Sequence, residues 1–319
     1  MRFWFCLAVA LWVNLAGAEE PQLKVIFCGD IMLADLPGKA IERGVDPFAE
    51  FAPLFREADL VIGNLECVVA TKGEPFDKPW TFRAHPRVIP LLQKHFHALS
   101  IANNHTGDFG REAFVEMLDL MRDKMPLFGG GRNKVEAHKP VILEKKGFKL
   151  ALLGYNRFQP RDFEAGENHA GCAWVEEAEI LADMAAVQKE HQPHLLVPFM
   201  HWGREGDREP QEYQRDLAKK MCAAGASLVV GAHPHVTQTI EYFDKKPALY
   251  SLGNFVFDGF DPDTPERVGW LWRVTFDRAG VLEWDTITLR IDEEGLPKLD
   301  QKTSSPRGNA RTGEISAKQ

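Results

Sequence analysis

Short apolar runs rich in β-branched residues, each stopped abruptly by a polar cluster, recur along the chain. They are KVIFCGD (24–30), DLVIGNLE (59–66), ALSIANNH (98–105), LLVPFMHWG (195–203), SLVVGAHPH (227–235) and ALYSLGNFVFD (248–258), with KLALLGYN (149–156) as a weaker example. Runs of this length bounded by turn residues predict strands buried on both faces. Between them, the apolar residues of REAFVEMLDLMRD (111–123), EEAEILADMAAVQKE (176–190) and EYQRDLAKKMCAAG (212–225) fall three and four apart. That spacing predicts helices with one apolar face, and Gly225 is placed to close the last of them. Strands alternating with helices indicate an α/β fold. GWLWRVTFD (269–277) and VLEWDTITLRID (281–292) flank Arg278-Ala279-Gly280. They predict an antiparallel hairpin, so the sheets are expected to be mixed.

No internal repeat is visible. Residues 19–300 read as one large domain, because no linker-like stretch divides them. Residues 301–319 lack apolar periodicity and are expected to be a disordered tail. The chain starts MRFWFCLAVALWVNLAGAEE, with Arg2, an apolar run and then Ala16-Gly17-Ala18. This predicts a signal peptide over residues 1–18, an uncleaved anchor being the alternative, and a secreted or periplasmic protein. No later segment is long enough in apolar residues to span a bilayer, so no transmembrane anchor is expected after cleavage.

The 319 residues are 45% hydrophobic and 26% charged, an ordinary globular composition. Without the leader, 37 basic side chains face 46 acidic ones, a net charge of −9. That balance argues against nucleic acid or an anionic membrane surface as partner. Cys28, Cys67, Cys172 and Cys222 are too sparse for a disulfide scaffold. Cys28 and Cys67 are compatible either with a disulfide or with two small buried thiols.

In open α/β sheets, ligands sit outside the carboxyl ends of the strands. At those ends lie Asp30, Asn64, Glu66, Asn103, Asn104, His105, His201, His233, His235 and Asn254. One such residue is ordinary turn chemistry. Clusters at six strand ends on one edge point instead to a divalent metal site. Carboxylates, amide oxygens and imidazoles form a hard-to-borderline donor set, suited to one or two ions of Mn, Zn or Fe rather than copper. His233 and His235 flank Pro234, which biases His233 towards extended geometry and would turn both rings to one side. Lys78, Arg83 and His85 alternate with Trp80 and Phe82 in KPWTFRAHPR (78–87). Such a patch suits a carboxylate-rich polymer or a phosphate, or is surface charge over an aromatic anchor. GGGR (129–132) lacks the Lys-Ser/Thr ending of a phosphate loop and reads as a tight turn. His95, His97, His138, His169, His191 and His194 have no ligand-like partners and are expected at the surface.

GDIML (29–33), NLE (64–66), ANNHTGDFG (102–110), HWGRE (201–205), GAHPHVTQ (231–238) and YSLGNFVFD (250–258) follow the order and spacing of one family. On these motifs the chain resembles the CapA/PgsA family of capsule (poly-γ-glutamate) synthesis proteins, itself similar to calcineurin-like metallophosphoesterases. The resemblance covers about residues 25–260. It implies an αββα sandwich of mixed β-sheets flanked by helices, with a metal centre at the strand ends. One ion would take Glu66, Asn104, His201 and His233; the other would take Asp30, Glu66 and His235. His105 would be either a general acid or the residue that orients Asn104, and Asp108 would orient His105 or cap a turn. Lys78, Arg83, Asn64 and Asn254 are the expected substrate contacts. The phosphoesterases carry a histidine where this chain has Met32, which leaves one ion short of a ligand. The functions implied are export and a role in capsule or other envelope-polymer synthesis, in a complex with other synthesis proteins. The site would act either as a metal-dependent hydrolase of a phosphoester or as a non-catalytic binder of an anionic polymer.

Overall fold

The computed structural model describes residues 20–158, 161–300, 303 and 305–317. The leader expected at residues 1–18 lies outside them. Among the described residues no helix is long and apolar enough to cross a membrane.

Strand Leu23–Ile31 shows why the apolar runs are continuous. Val25 and Phe27 face a core shared with Leu152, Val197, Phe199 and Val230 of a second sheet. Ile26 and Cys28 face the opposite way, into a core with Phe51, Phe55, Phe114 and Met117. Side chains alternate across a strand, so a strand covered on both faces needs apolar residues at every position. The 23–31 strand pairs in parallel with 60–65, which continues to 98–100 and 127–128. On its other side it pairs antiparallel with 268–277, followed by 280–291. The second sheet runs 240–243, 246–249, 229–232, 195–201, 148–156 and 141–145, parallel in its centre and antiparallel at both edges.

Helices close the two outer faces. Glu177–His191 and Glu212–Ala223 bury Ile180, Met184, Leu217 and Met221 on the second sheet. Gly110–Met121 buries Phe114 and Met117 on the first. The layer order is therefore αββα, as the resemblance implied. The 268–277 and 280–291 strands form the expected hairpin.

Several expectations need correction. Residues 306–309 pair with 280–291, and 314–317 pair with 306–309, so the tail expected to be disordered carries the outermost strands of the large sheet. Residues 306–309 and 314–316 are half-buried or exposed, and an edge strand of that kind needs no apolar alternation. Helix Asp35–Glu42 was hidden by Pro37 and Gly38, both poor helix formers. His95 is buried, not at the surface, and its Nε2 lies 2.9 Å from Asp46. His97 and His194 are exposed, as expected, and accept backbone N–H bonds from Val61 and Lys149, whereas His138 is half-buried and binds Asp183. All four cysteines named above are buried free thiols. Gly130–Gly131 pairs with Gly171–Cys172 as a short strand, so GGGR is not simply a turn.

Phe27 has no solvent exposure and packs on Trp272 between the sheets. Phe27→Ala is expected to cost about 3–5 kcal/mol, measured as a lower urea midpoint with an unchanged slope.

Candidate metal centre

The parallel strands of both sheets point their carboxyl ends to one edge. Asp30 lies opposite Asn64 on one side and Asn254 on the other. His201 is the last residue of its strand, opposite Ala232, the residue before His233. The two sheets are joined here: the His233 N–H donates to Asp30 Oδ2 at 3.3 Å, and the Leu252 N–H donates to the Gly231 carbonyl at 3.0 Å. A Cβ at residue 29 would lie 1.9 Å from the Gly253 carbonyl oxygen, so Gly29 permits this approach.

Ligand-type atoms crowd together at the joint. His201 Nε2 is 2.6 Å from Asn104 Oδ1, 3.1 Å from His233 Nδ1 and 3.4 Å from Glu66 Oε1. His235 Nδ1 is 2.8 Å from Asn254 Oδ1 and 3.5 Å from Asp30 Oδ2. Glu66, His201 and His233 offer donor atoms within 4.8 Å of one another, as do Asp30, Glu66 and His235. These two groups share Glu66, and together with Asn104 they contain every residue of the two expected ligand sets. His233 and His235 reach the site differently from the expectation. Their φ values are +97° and +59°, not extended, and such backbone costs of order 1–3 kcal/mol per residue.

Asn64 stands beneath the ligands. It donates to Asp30 Oδ1 at 2.8 Å, lies 3.3 Å from His201 Nδ1, and accepts from Asn103 Nδ2 at 3.1 Å. Asn254 donates to the Glu266 carbonyl. Both are buried positioning groups with their polar atoms engaged. The basic patch is split. Lys78 bonds to Asp108 and, at 3.0 Å, to the Asn104 carbonyl, whereas Arg83 donates to the carbonyls of Lys72 and Gly73 and stacks on Phe109. His85 accepts from the Arg87 N–H. Of the two roles expected for Asp108, the contact seen is the one with His105: Oδ2 lies 2.7 Å from His105 Nδ1, and it also accepts the N–H of Phe82, a residue far off in sequence and not part of a turn with it.

Two features had no forecast. Phe82 lies on His105, Phe158 on His233, and Phe257 and Phe260 on His235, with ring centroids 4.4, 4.1, 4.8 and 5.4 Å apart. This apolar collar lowers the local dielectric and strengthens every charge interaction inside it. Glu205, on the loop after His201, brings a carboxylate oxygen to within 4.8 Å of ring nitrogens of His233 and His235. Its only signal in the sequence was its place at the end of HWGRE.

The field of the site favours a cation. Asp30, Glu66 and His233 are fully buried. Both Glu66 carboxylate oxygens and His233 Nε2 have no hydrogen-bond partner among the described residues. Burial, then the neighbouring Asp30 carboxylate, pushes Glu66 well above the usual carboxylate range. Burial also raises Asp30, opposed by His235 and Asn64. Burial and neighbouring imidazoles hold His201 well below the ordinary histidine value, and His233 likewise. Such groups are costly to charge alone, and a divalent ion removes that cost by pairing with the carboxylates and taking the imidazole lone pairs.

Residues 24–259 match the family described as bacterial capsule synthesis protein PGA_cap. The chain belongs to this family. It is 33% identical over 256 residues to the PGA biosynthesis protein CapA of Bacillus subtilis, covering 76% of this chain and 67% of that one. It is 28% identical over 309 residues to the capsule biosynthesis protein CapA of Bacillus anthracis, covering 92% and 74%. Among solved structures, the Haemophilus influenzae NAD nucleotidase is 12% identical with a TM-score of 0.48, covering 88% of this chain and 54% of that one. The Thermus thermophilus sulfate thiohydrolase SoxB is 13% identical with a TM-score of 0.49, covering 86% and 58%. Similarity at that level says nothing about chemistry.

In metal-free protein, Glu66→Gln is expected to raise stability by about 1–3 kcal/mol at pH 8. A carboxyl whose folded pKa is raised binds more protons when folded, so its penalty is absent below its ordinary value of 4.5 and grows as pH rises. The gain from Glu66→Gln therefore shrinks toward pH 4.5, which urea titrations of both proteins at the two pH values would reveal.

Proposed function

We propose that this chain is an exported protein of capsule or related envelope-polymer synthesis whose strand-end cluster holds divalent metal and hydrolyses a bond in an anionic substrate. The observation that carries the reading is Glu66. A buried carboxylate with both oxygens unpartnered, standing between an imidazole pair on one side and Asp30 with His235 on the other, is what an ion-bridging group requires. The family's role in capsule synthesis supplies the polymer, and the sequence of the first 18 residues supplies the export.

Glu66, Asn104, His201 and His233 would hold one ion; Asp30, Glu66 and His235 would hold the other. A divalent ion there supplies Lewis acidity toward a phosphoryl or acyl oxygen. The protein's own groups supply the rest. Asp108 fixes His105 through Nδ1, leaving Nε2 as the ring nitrogen that exchanges a proton with a leaving group. Lys78 ties Asp108 to the Asn104 backbone, which couples the proton-transfer residue to the ligand shell. The phenylalanine collar excludes water from around both.

A second reading is a metal-dependent binder of an anionic polymer without turnover. Met32 favours it: its sulfur accepts the Ala34 N–H at 3.1 Å, so the Asp30 side of the cluster gains no donor from this position.

Protein reconstituted with Mn²⁺ or Zn²⁺ is expected to melt higher, by about 2.7 kcal/mol at an ion concentration one hundred times Kd. His233→Ala is expected to lose that shift and at least about 100-fold in turnover of a generic phosphodiester or γ-glutamyl substrate. Stoichiometric metal without turnover, with polyglutamate binding that vanishes in His233→Ala, would select the second reading. Protein that takes up no metal would remove both. His105→Ala is expected to keep its metal and lose about 10²–10⁴ in rate, read from metal analysis and steady-state kinetics on the same preparation.

A further inference from the structure

We propose that Glu205 is a metal ligand, supplied from an exposed loop, that completes the His235 side of the centre where Met32 leaves it a donor short. The inference rests on the metal-site reading above and assigns a residue that this reading does not use.

The position of the carboxylate is built, not accidental. The loop after His201 is fixed at several points over the His-Pro-His segment. The Gly203 N–H, at φ +97°, donates to the Tyr213 hydroxyl at 2.8 Å. The Gly206 N–H donates to the Pro234 carbonyl at 2.9 Å. Gln238 Nε2 holds the Asp207 carbonyl at 2.7 Å. Glu205 therefore sits against the segment that carries both histidines, and its oxygen comes within 4.8 Å of a nitrogen of each.

The carboxylate is also unspent. Glu205 is exposed yet makes no hydrogen bond or ion pair among the described residues. His233 Nε2 is buried with no hydrogen-bond partner among the described residues. An oxygen donor held beside two imidazoles with nothing else to bind is available to a cation among them.

The donor count leaves a place for it on the side of the two histidines with which its oxygen is grouped. Asp30, Glu66 and His235 supply one protein ligand each, and a four-coordinate site needs another. Glu205 adds an oxygen donor next to His235, a choice that suits Mn²⁺, Zn²⁺ or Fe²⁺. A loop carboxylate replaces a strand-borne imidazole.

Mn²⁺ titration of the mature protein, followed by calorimetry and by electron paramagnetic resonance, tests this. Wild type is expected to take two ions, with a spin-coupled signal at saturation. Glu205→Gln keeps the side-chain shape and is expected to weaken the second binding step at least about tenfold. The first step should be unchanged and the coupled signal lost. Two unchanged steps, or two steps weakened alike, would overturn the inference, the latter marking a general charge effect or an orienting role on His233. A wild type that stops at one ion overturns it and leaves the Glu66, His201 and His233 site standing. A wild type that binds none removes the metal reading itself. Because Glu205 is exposed, matching circular dichroism and melting in the absence of metal establishes that the variant is folded.

Discussion

Two carboxylates buried side by side, Asp30 and Glu66, govern this structure. Asp30 is held by the His233 backbone N–H from the opposite sheet and by the Asn64 amide from its own. It is thus the point where the two sheets lock at their carboxyl edge. Glu66 has no such support. The fold fixes one carboxylate and leaves the next one bare beside it. Burial raises both carboxyls above their usual range, so the cost of charging this pair is part of the native state.

The surroundings follow from that constraint. Asn64 and Asn103 fill the floor with amides that orient the acids and imidazoles above. The phenylalanine rings over the histidines keep solvent from screening the site. The left-handed backbone at His233 and His235 persists because the sheet ends around it leave no alternative path. Strain, desolvation and unpaired charge are concentrated in one place, while the cores between and outside the sheets are apolar and well ordered.

Much of this was legible in the sequence because strand ends are marked by an abrupt change of composition. The run VIFC ending at Asp30 and the run LVVGA ending at His233 gave both the element and a candidate ligand in one stretch. What was hidden lay where local signals are weak. The positive φ of His233 contradicts the bias that Pro234 imposes on its predecessor, and tertiary packing sustains it. Glu205 is one glutamate among many, distinguished by a loop path that depends on Tyr213 and Gln238, distant in sequence from the motif. The aromatic collar comes from four separate segments. The strands at 306–309 and 314–317 have no buried face to write an alternating pattern.

The four free thiols carry a consequence for how such a protein matures. Each is buried, and burial pushes Cys67, Cys172 and Cys222 up to about 12, with Cys28 also far above its usual range. Thiols of this kind are neither nucleophilic nor reachable by an oxidant. Once the sheets have closed, none of these four thiols is open to oxidation or disulfide exchange. The risk of mispairing is confined to the interval before closure, so rapid collapse of the two sheets is itself the protection.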